Sequence, residues 1–406
     1  MIQVQLLNLV YGGECLGRLA DGRAVFVPYG LPGELVAIDL VEDKKRFARG
    51  RIVEILRPSP ERIQPRCAHF GECGGCHYQH LTYERQLAAK QAILIDQLRR
   101  IAGVTVPPVE DIVPSPSPWN YRNTVQFHLN EEGRLGYQSW GGSRVVAIRE
   151  CHLPEQTLNE LWPLLDFEPL PGLERIELRL GADGEALLAL ETNELELPEF
   201  EVDIPLSAVL RSPAGQIVLV GDDHLVMEVL GKPFKVSAGS FFQVNTPMAG
   251  AMVETLLDWL PVNRRTTLLD VYCGVGLFSA FFAPRVGRCI GIESSESACA
   301  DYAVNLDACE NVELYVGLAE EVLPALNRRG EVIIVDPPRA GLEIAALDAL
   351  TAMQPEAIAY VSCDPATLAR DAARLLRGGY RLERVRPFDL FPQTYHIESI
   401  SLFKRG

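Results

Sequence analysis

From residue 246 onward, short apolar runs alternate with helix-like patterns, and this rhythm limits what the chain can fold into more than any other feature. A helical pattern through 252–260 is followed by apolar runs at 267–271, 288–292, 312–316, 331–335 and 357–362, with further helical stretches opening at Leu277 and Ser297. Strand and helix in succession predict an open parallel sheet with helices on both faces. In such sheets ligands sit beyond the carboxyl ends of the strands. Residues 380–388 and 396–403 read as a terminal strand pair joined by a loop at 389–395. The fold class expected for this part is α/β, doubly wound.

The rest of the chain has a different grammar. Residues 1–57 alternate apolar and polar around an Asp21-Gly22 turn and a Gly30-Leu31-Pro32-Gly33 loop, with strand-like runs at 35–40 and 50–56. A small β-barrel fits this pattern. Between those runs stand Lys44, Lys45, Arg46 and Arg49 with Phe47 among them, the mixture of charge and ring that single-stranded RNA grooves use. A solvated hairpin tip is the plainer alternative. After a Pro-rich link at 57–65 and a cysteine cluster, Leu87, Ile93, Leu94 and Leu98 recur at helical spacing within 83–101. From Trp119 to about Val244 the runs are short and separated by Gly and Asp turns, which predicts a mainly β central domain. The organisation expected is three domains: 1–57, 66–245 and 246–406.

Charge restricts partners. The chain carries a formal charge of −16 over 406 residues, but residues 1–66 hold ten Lys and Arg against eight Asp and Glu, while the remainder holds 28 against 46. Whole-molecule attraction to phosphate is therefore absent, and contact with a nucleic acid must be local. No stretch approaches the roughly 18 apolar residues that cross a bilayer, and the start has no export-signal pattern. A soluble cytoplasmic protein without membrane contact, acting as a monomer, is expected. In a reducing compartment the ten cysteines are thiols, metal ligands or nucleophiles rather than a disulfide framework.

The loop Asp270-Val271-Tyr272-Cys273-Gly274-Val275-Gly276 follows the first strand of the α/β region, and Gly274 and Gly276 allow close backbone approach to a ligand. Glu293 ends the next strand, placed for two ribose hydroxyls. A dinucleotide fingerprint would need a third glycine where Ser279 stands, so a diphosphate is disfavoured. Asp270 suits an ammonium-bearing ligand, which makes S-adenosylmethionine the better candidate. Its plainer role is a turn or helix-cap acceptor.

The run Val361-Ser362-Cys363-Asp364-Pro365 puts a thiol at the end of a buried strand, behind that loop and the turn Asp336-Pro337-Pro338-Arg339. Amino-group methylases of nucleic acids often follow the two prolines of such a turn with an aromatic ring; here Arg339 stands instead. Uracil C5 is a poor nucleophile until something adds to C6. A thiolate can do so, and a base must then take the C5 proton so that the thiol can leave. Cys363 is the candidate nucleophile and Glu398 the candidate base, with His396 as a rival. Arg339 or the positive end of a helix starting near Ala366 would favour the thiolate. A structural thiol and the polar face of a strand are the alternatives for Cys363 and Glu398. Cys273, Cys289, Cys299 and Cys309 read as packing.

Cys67, Cys73 and Cys76 follow C-x5-C-x2-C, and Cys151 comes much later in Glu150-Cys151-His152. A compact triplet with a distant fourth thiol matches an iron-sulfur cluster or a structural zinc, and spacing alone does not separate them. Gly71, Gly74 and Gly75 let the chain wrap closely round an inorganic core. His69, His77, His80 and His152 keep mixed zinc ligation open. Sequence distance from the reacting centre suggests a structural role for the metal.

Together these residues resemble the RNA uracil-C5 methyltransferases, in particular the ribosomal-RNA branch with an N-terminal TRAM domain and an iron-sulfur cluster. The resemblance spans nearly the whole chain. It rests on the barrel, the four cysteines, Tyr121-Arg122-Asn123, Phe242-Gln243-Val244-Asn245, the 270–276 loop, Asp336-Pro337-Pro338-Arg339-Ala340-Gly341, the run 362–368 and His396-Ile397-Glu398. It implies a Rossmann-like methyltransferase domain behind an OB-like barrel, and a [4Fe-4S] cluster on Cys67, Cys73, Cys76 and Cys151. It further implies Cys363 as nucleophile, Glu398 as base, and cofactor contacts from Gln243, Tyr272, Gly274, Gly276, Glu293 and Asp336; Gln243 and Asp336 could instead face the uracil. RNA is the implied partner, 23S ribosomal RNA before transfer RNA. A cytosine-C5 methylase and a non-catalytic metal-cluster RNA-binding factor are the rival functions. The chain departs from many relatives at Asp364, where Asn is usual, and at Leu277 and Leu318, where some place a polar cofactor contact.

Overall fold

The computed structural model describes residues 1–168, 172–193, 205–326 and 328–406. The first five strands, β1 (Ile2–Leu9), β2 (Glu14–Arg18), β3 (Ala24–Pro28), β4 (Leu35–Asp43) and β5 (Phe47–Arg57), close into a barrel in the order β1-β2-β3-β5-β4. Alternation builds it: Val4, Leu6, Val25, Val27, Val36 and Ile38 point inward and are buried. Phe47 and Arg49, read as loop residues in the sequence, belong to β5; the basic tip is only Lys44 to Arg46, and it is exposed.

Helix α1 (Tyr83–Arg100) follows the cysteine-rich segment. Its Leu94 and Leu98 lie in the core of the C-terminal sheet, among Ile333, Ile358, Leu368 and Phe403. The segment after α1 stays on that sheet, with Val109 bridged to Val385 and Val113 to Phe388. Residues 83–113 therefore pack with the C-terminal domain although they precede the central one.

The central sheet contains β6 (Thr124–Leu129), β7 (Leu135–Gln138), β8 (Val145–Ala147), β9 (Leu173–Leu180), β10 (Ala186–Thr192), β11 (Ser207–Ser212) and β12 (Gly215–Val220), in the order β12-β11-β10-β9-β6-β7-β8, with the short α2 (Gln156–Leu161) beside it. A hairpin, β13 (His224–Val229) with β14 (Lys232–Ser237), leads to the last domain.

That domain runs α3 (Thr246–Trp259), β15 (Thr267–Val271), α4 (Leu277–Phe282), β16 (Arg288–Glu293), α5 (Glu296–Asn305), β17 (Val312–Val316), α6 (Ala319–Ala325), β18 (Val332–Val335), α7 (Ile344–Met353), β19 (Ala357–Ser362), α8 (Pro365–Arg377), β20 (Tyr380–Phe388) and β21 (Glu398–Arg405). The sheet order is β17-β16-β15-β18-β19-β21-β20. The five strands β15 to β19 are parallel; the inner strands β15, β18 and β19 are buried on both faces, and separate cores cover the two sides. The last strand, β21, inserts antiparallel between β19 and β20, so its first residue lies at the edge where the parallel strands end. Among the described residues, no helix is long and apolar enough to cross a membrane.

Candidate active site

The sheet order brings the candidate residues into a row. Glu293 ends β16, Tyr272 to Gly276 follow β15, Asp336 follows β18, Cys363 follows β19 and Glu398 opens β21. At about 4.8 Å between neighbouring strands, the row from Glu293 to Glu398 spans about 19 Å, room for a nucleoside-sized ligand beside a second reactant.

Cys363 and Glu398 meet through register. Ser362 pairs with Ser399 as the last pair of the antiparallel β19–β21 ladder, so Cys363, the next residue after β19, and Glu398, the first of β21, both adjoin the end of that ladder. Cys363 is partly exposed and Glu398 is buried. Burial, followed by the charges of Glu398 and Asp336, pushes the Cys363 thiol up to about 12, and Arg339 is the group that opposes this. Burial, then Asp336, also holds Glu398 well above the usual carboxylate range, with Arg339 and Lys90 pulling the other way. Asp336 rises to about 7 through burial and the charge of Asp270. Cys363, Glu398 and Asp336 thus make one acidic group of raised proton affinity, and the positive charge of Arg339 opposes the rise at both Cys363 and Glu398.

The positive end of α8 does not serve the thiol. Asp364 caps that helix, its Oδ1 accepting from Ala366 N and Thr367 N at 2.9 Å each, so a carboxylate already occupies the helix terminus. His396 is a poor rival base: burial, then Arg339, depresses it to about 2, and Arg339 Nη2 lies 3.4 Å from its ring Nδ1.

The glycine loop turns as its spacing requires. Tyr272 has φ +65°, Gly274 +54° and Gly276 +91°, and a Cβ on Gly276 would lie 2.4 Å from Leu306. The left-handed Tyr272 is costly for a bulky residue, a form of strain that clusters at ligand sites. Gly274 N donates to Glu293 Oε2 at 2.9 Å, while Ser294 N and Ser295 N donate to Oε1. Glu293 is therefore held at the loop mouth by backbone donors. Asp270 is fully buried; its Oδ2 accepts from Ser279 N and Oγ, the turn-acceptor role, and its Oδ1 has no partner. Gln243 lies just before α3, its carbonyl accepting from Asn123 Nδ2 at 3.1 Å. Leu277 is buried and Leu318 exposed.

The four predicted ligand cysteines come together. Cys67, Cys73, Cys76 and Cys151 line one cavity of about 410 Å³. His69 N and Gly75 N each point at a sulfur, of Cys67 and Cys73, at 3.4 Å. Gly74 is needed for close approach, since its Cβ would lie 2.7 Å from the Gln138 carbonyl oxygen. His69 Nε2 accepts from Arg149 N instead of facing the thiols. Among the described residues, no three His, Cys, Asp or Glu side chains converge tightly enough to hold a single metal ion. The cavity is also lined by Arg339, Phe391 and His396, so the sequence distance between cysteines and reacting centre is not a distance in space.

A cleft of about 1560 Å³ opens beside this region, walled by the barrel (Tyr11, Tyr29, Arg49, Arg51), the central-domain loop carrying Trp140 and Arg144, and Arg339, Tyr395 and His396. Tyr11 packs edge to face on Tyr395, with ring centroids 5.6 Å apart. Sequence reasoning had not singled out Tyr11, Trp140 or Tyr395; each is a lone aromatic in a loop, which carries no periodic signal. The basic tip of Lys44 to Arg46 is not part of this wall.

Comparisons with known proteins give the family. The family model for tRNA (uracil-5-)-methyltransferase matches residues 188–406, and that for the TRAM domain matches residues 2–53. An uncharacterized RNA methyltransferase of Aquifex aeolicus is 36% identical over 423 residues, covering 99% of this chain and 98% of its own. Another, from Thermosynechococcus vestitus, is 34% identical over 437 residues, covering 99% and 97%. Among solved structures, the Pyrococcus abyssi tRNA (uracil-54, C5)-methyltransferase in complex with S-adenosyl-L-homocysteine superposes with a TM-score of 0.75 at 25% identity, covering 98% of this chain and 99% of that one.

Proposed function

The chain belongs to the tRNA (uracil-5-)-methyltransferase family of S-adenosylmethionine-dependent RNA methyltransferases, and from that premise we propose that it makes 5-methyluridine by covalent attack of Cys363 on uracil C6. The observation that supports the reading is the antiparallel β19–β21 ladder, whose last pair, Ser362 with Ser399, adjoins both Cys363 and Glu398.

A uridine extruded from folded RNA enters the cleft, where Tyr11, Trp140 and Tyr395 offer stacking faces and Arg51 and Arg144 offer charge to the backbone. The Cys363 sulfur bonds to C6 and the ring becomes an enolate. S-adenosylmethionine supplies the methyl group that C5 takes. Glu398 then accepts the C5 proton; the electrons of that C–H bond restore the C5–C6 double bond and the sulfur departs as thiolate. A carboxylate with a raised proton affinity is well suited to that last step. Tyr272, Gly274, Gly276 and Glu293 would hold the methyl donor at the ends of β15 and β16, with Gln243 and Asp336 at the junction of the two reactants.

The four cysteines suit a [4Fe-4S] cluster better than zinc. All four line one cavity, and backbone N–H groups are directed at two of the sulfurs. Such a cluster would brace the segment 67–76 against Cys151 and the wall of the cleft.

The substrate we favour is 23S ribosomal RNA, on the combination of the barrel with the four-cysteine set. The second reading, transfer RNA, is favoured by the Pyrococcus abyssi neighbour. Mapping 5-methyluridine in both RNAs from a deletion strain decides between them: loss confined to ribosomal RNA supports the first reading and loss confined to transfer RNA the second. For the chemistry, Cys363→Ala should abolish methyl transfer, and Glu398→Gln should leave an enzyme–RNA adduct visible on a denaturing gel. Methyl transfer by Cys363→Ala would refute the covalent mechanism.

A further inference from the structure

Arg339 lines both cavities at the catalytic edge, and its Nη2 lies 3.4 Å from the ring of His396, two residues before Glu398. Its backbone belongs to the turn 336–342, which leaves β18 with Asp336 at its start. Val335 pairs with Tyr360 across β18 and β19, so this turn and Cys363 leave the same edge of the sheet side by side. Arg339 is exposed, and a long exposed side chain keeps one place only if the backbone beneath it is fixed.

That backbone is gripped from α8. Arg370 Nη2 donates to the Ala340 carbonyl at 2.9 Å and to the Leu342 carbonyl at 3.2 Å, while Leu342 N donates to Asp371 Oδ2 at 2.9 Å. Gly341, between the two gripped carbonyls, has φ +76°, and a Cβ there would lie 2.6 Å from both Arg370 Nη2 and Asp371 Oδ2. The clamp therefore closes on bare backbone. Arg370 Nε donates to Asp371 Oδ1 at 2.8 Å, which fixes the guanidinium plane, and Tyr360 Oη donates to Asp371 Oδ2 at 2.8 Å.

Asp371 lies on the buried face of α8 with Leu368, Ala372 and Leu375, where packing alone asks for an apolar residue and a carboxylate is costly unless fully partnered. Its partners come from three places around the reacting centre. They are the turn that carries Asp336 and Arg339, the strand β19 that ends directly before Cys363, and α8 itself, whose cap Asp364 directly follows Cys363. Neither Arg370 nor Asp371 lines either cavity, so the pair acts on the reactants only through what it holds.

We propose that Arg370 and Asp371 are positioning residues for Arg339: their clamp on Ala340 and Leu342 fixes the turn so that the Arg339 guanidinium stays at the His396 ring, on the side of the cleft where Cys363 and Glu398 stand. This rests on Cys363 being the nucleophile, since what Arg339 supplies there is positive charge toward its thiolate.

The test is a double-mutant cycle on the full-length enzyme with Arg370→Gln, Arg339→Gln and the two combined, Tyr360→Phe as a milder release of the clamp, and Cys363→Ala as reference. Arg370 is exposed, so Arg370→Gln should fold and bind S-adenosylhomocysteine as the parent does. Its kcat for methyl transfer to RNA should fall at least about tenfold, and about 100-fold if Arg339 moves by about 1 Å. Alkylation of Cys363 by iodoacetamide at neutral pH, followed on its peptide by mass spectrometry, should slow as well. Tyr360→Phe should move both readouts the same way by less. The combined variant should be no slower than Arg339→Gln alone, because the clamp then has nothing left to place. Losses that multiply in the combined variant overturn the proposal, as does a parental kcat in Arg370→Gln. Loss of folding in both Arg370→Gln and Tyr360→Phe also overturns it and assigns the clamp to stability. Methyl transfer by Cys363→Ala would fault the nucleophile assignment instead, and the cycle in kcat would still decide the clamp.

Discussion

Replacing Asp270 with Asn should flatten the stability–pH curve of the catalytic domain. The carboxyl is fully buried, with one oxygen serving Ser279 and the other unpartnered, and burial raises its pKa from 3.8 to about 6. The folded state therefore holds this proton more tightly than the unfolded chain. The associated stability is complete below the unfolded value and is lost as pH rises through the folded one. A shift of about two units amounts to about 3 kcal/mol in full, of which about 1.4 kcal/mol falls between pH 5 and pH 8. Urea denaturation of both proteins at those two pH values reads the difference directly. The parent should lose about 1.4 kcal/mol more than Asp270→Asn over the interval. Parallel curves would mean the buried carboxyl does not titrate there and would refute the reasoning. Calorimetry with S-adenosylhomocysteine on the same variant separates the two roles weighed for Asp270. Unchanged affinity leaves it a turn acceptor, and a marked loss makes its unpartnered oxygen a ligand for the cofactor's ammonium.

Other outcomes follow from single contacts. Gly276→Ala should destabilise the domain by at least about 1 kcal/mol and abolish cofactor binding, because φ is +91° and the new methyl would meet Leu306; thermal melts with and without S-adenosylhomocysteine check both. Asp364→Ala should lower stability by about 1 kcal/mol through loss of the α8 cap, whereas Asp364→Asn keeps the acceptor and should melt with the parent. The Asn variant also removes a negative charge beside Cys363, so its thiol should react faster with iodoacetamide at neutral pH. Trp140→Ala should raise KM for RNA and leave S-adenosylhomocysteine affinity unchanged, as expected of a stacking face on the cleft wall. The proposed cluster predicts iron and visible absorbance in protein purified without oxygen, both lost in Cys73→Ser with Cys151→Ser; iron-free parental protein would refute it.

The strand ends were legible because strands buried on both faces are continuous apolar runs; the sequence runs at 267–271 and 357–362 coincide with β15 and β19. The helices α6 and α7 had no comparable signature. One contains Pro324, and the other, Ile344–Met353, is apolar nearly all round, so neither shows an amphipathic period. The residues of the reacting centre could be picked out singly, but their meeting depends on β21 entering between β19 and β20, a long-range choice that local pattern does not encode. The same holds for the cysteines, whose cavity shares Arg339 and His396 with the cleft.

The central claim is that one of ten cysteines bonds to the substrate ring. The direct measurement uses the parental enzyme, S-adenosylmethionine and RNA carrying 5-fluorouridine, whose fluorine Glu398 cannot remove, followed by protease and nuclease digestion and mass spectrometry. The account predicts a methylated fluorouridine attached to the peptide containing Cys363. Attachment to any other cysteine, or methylated RNA with no protein bound, would contradict it.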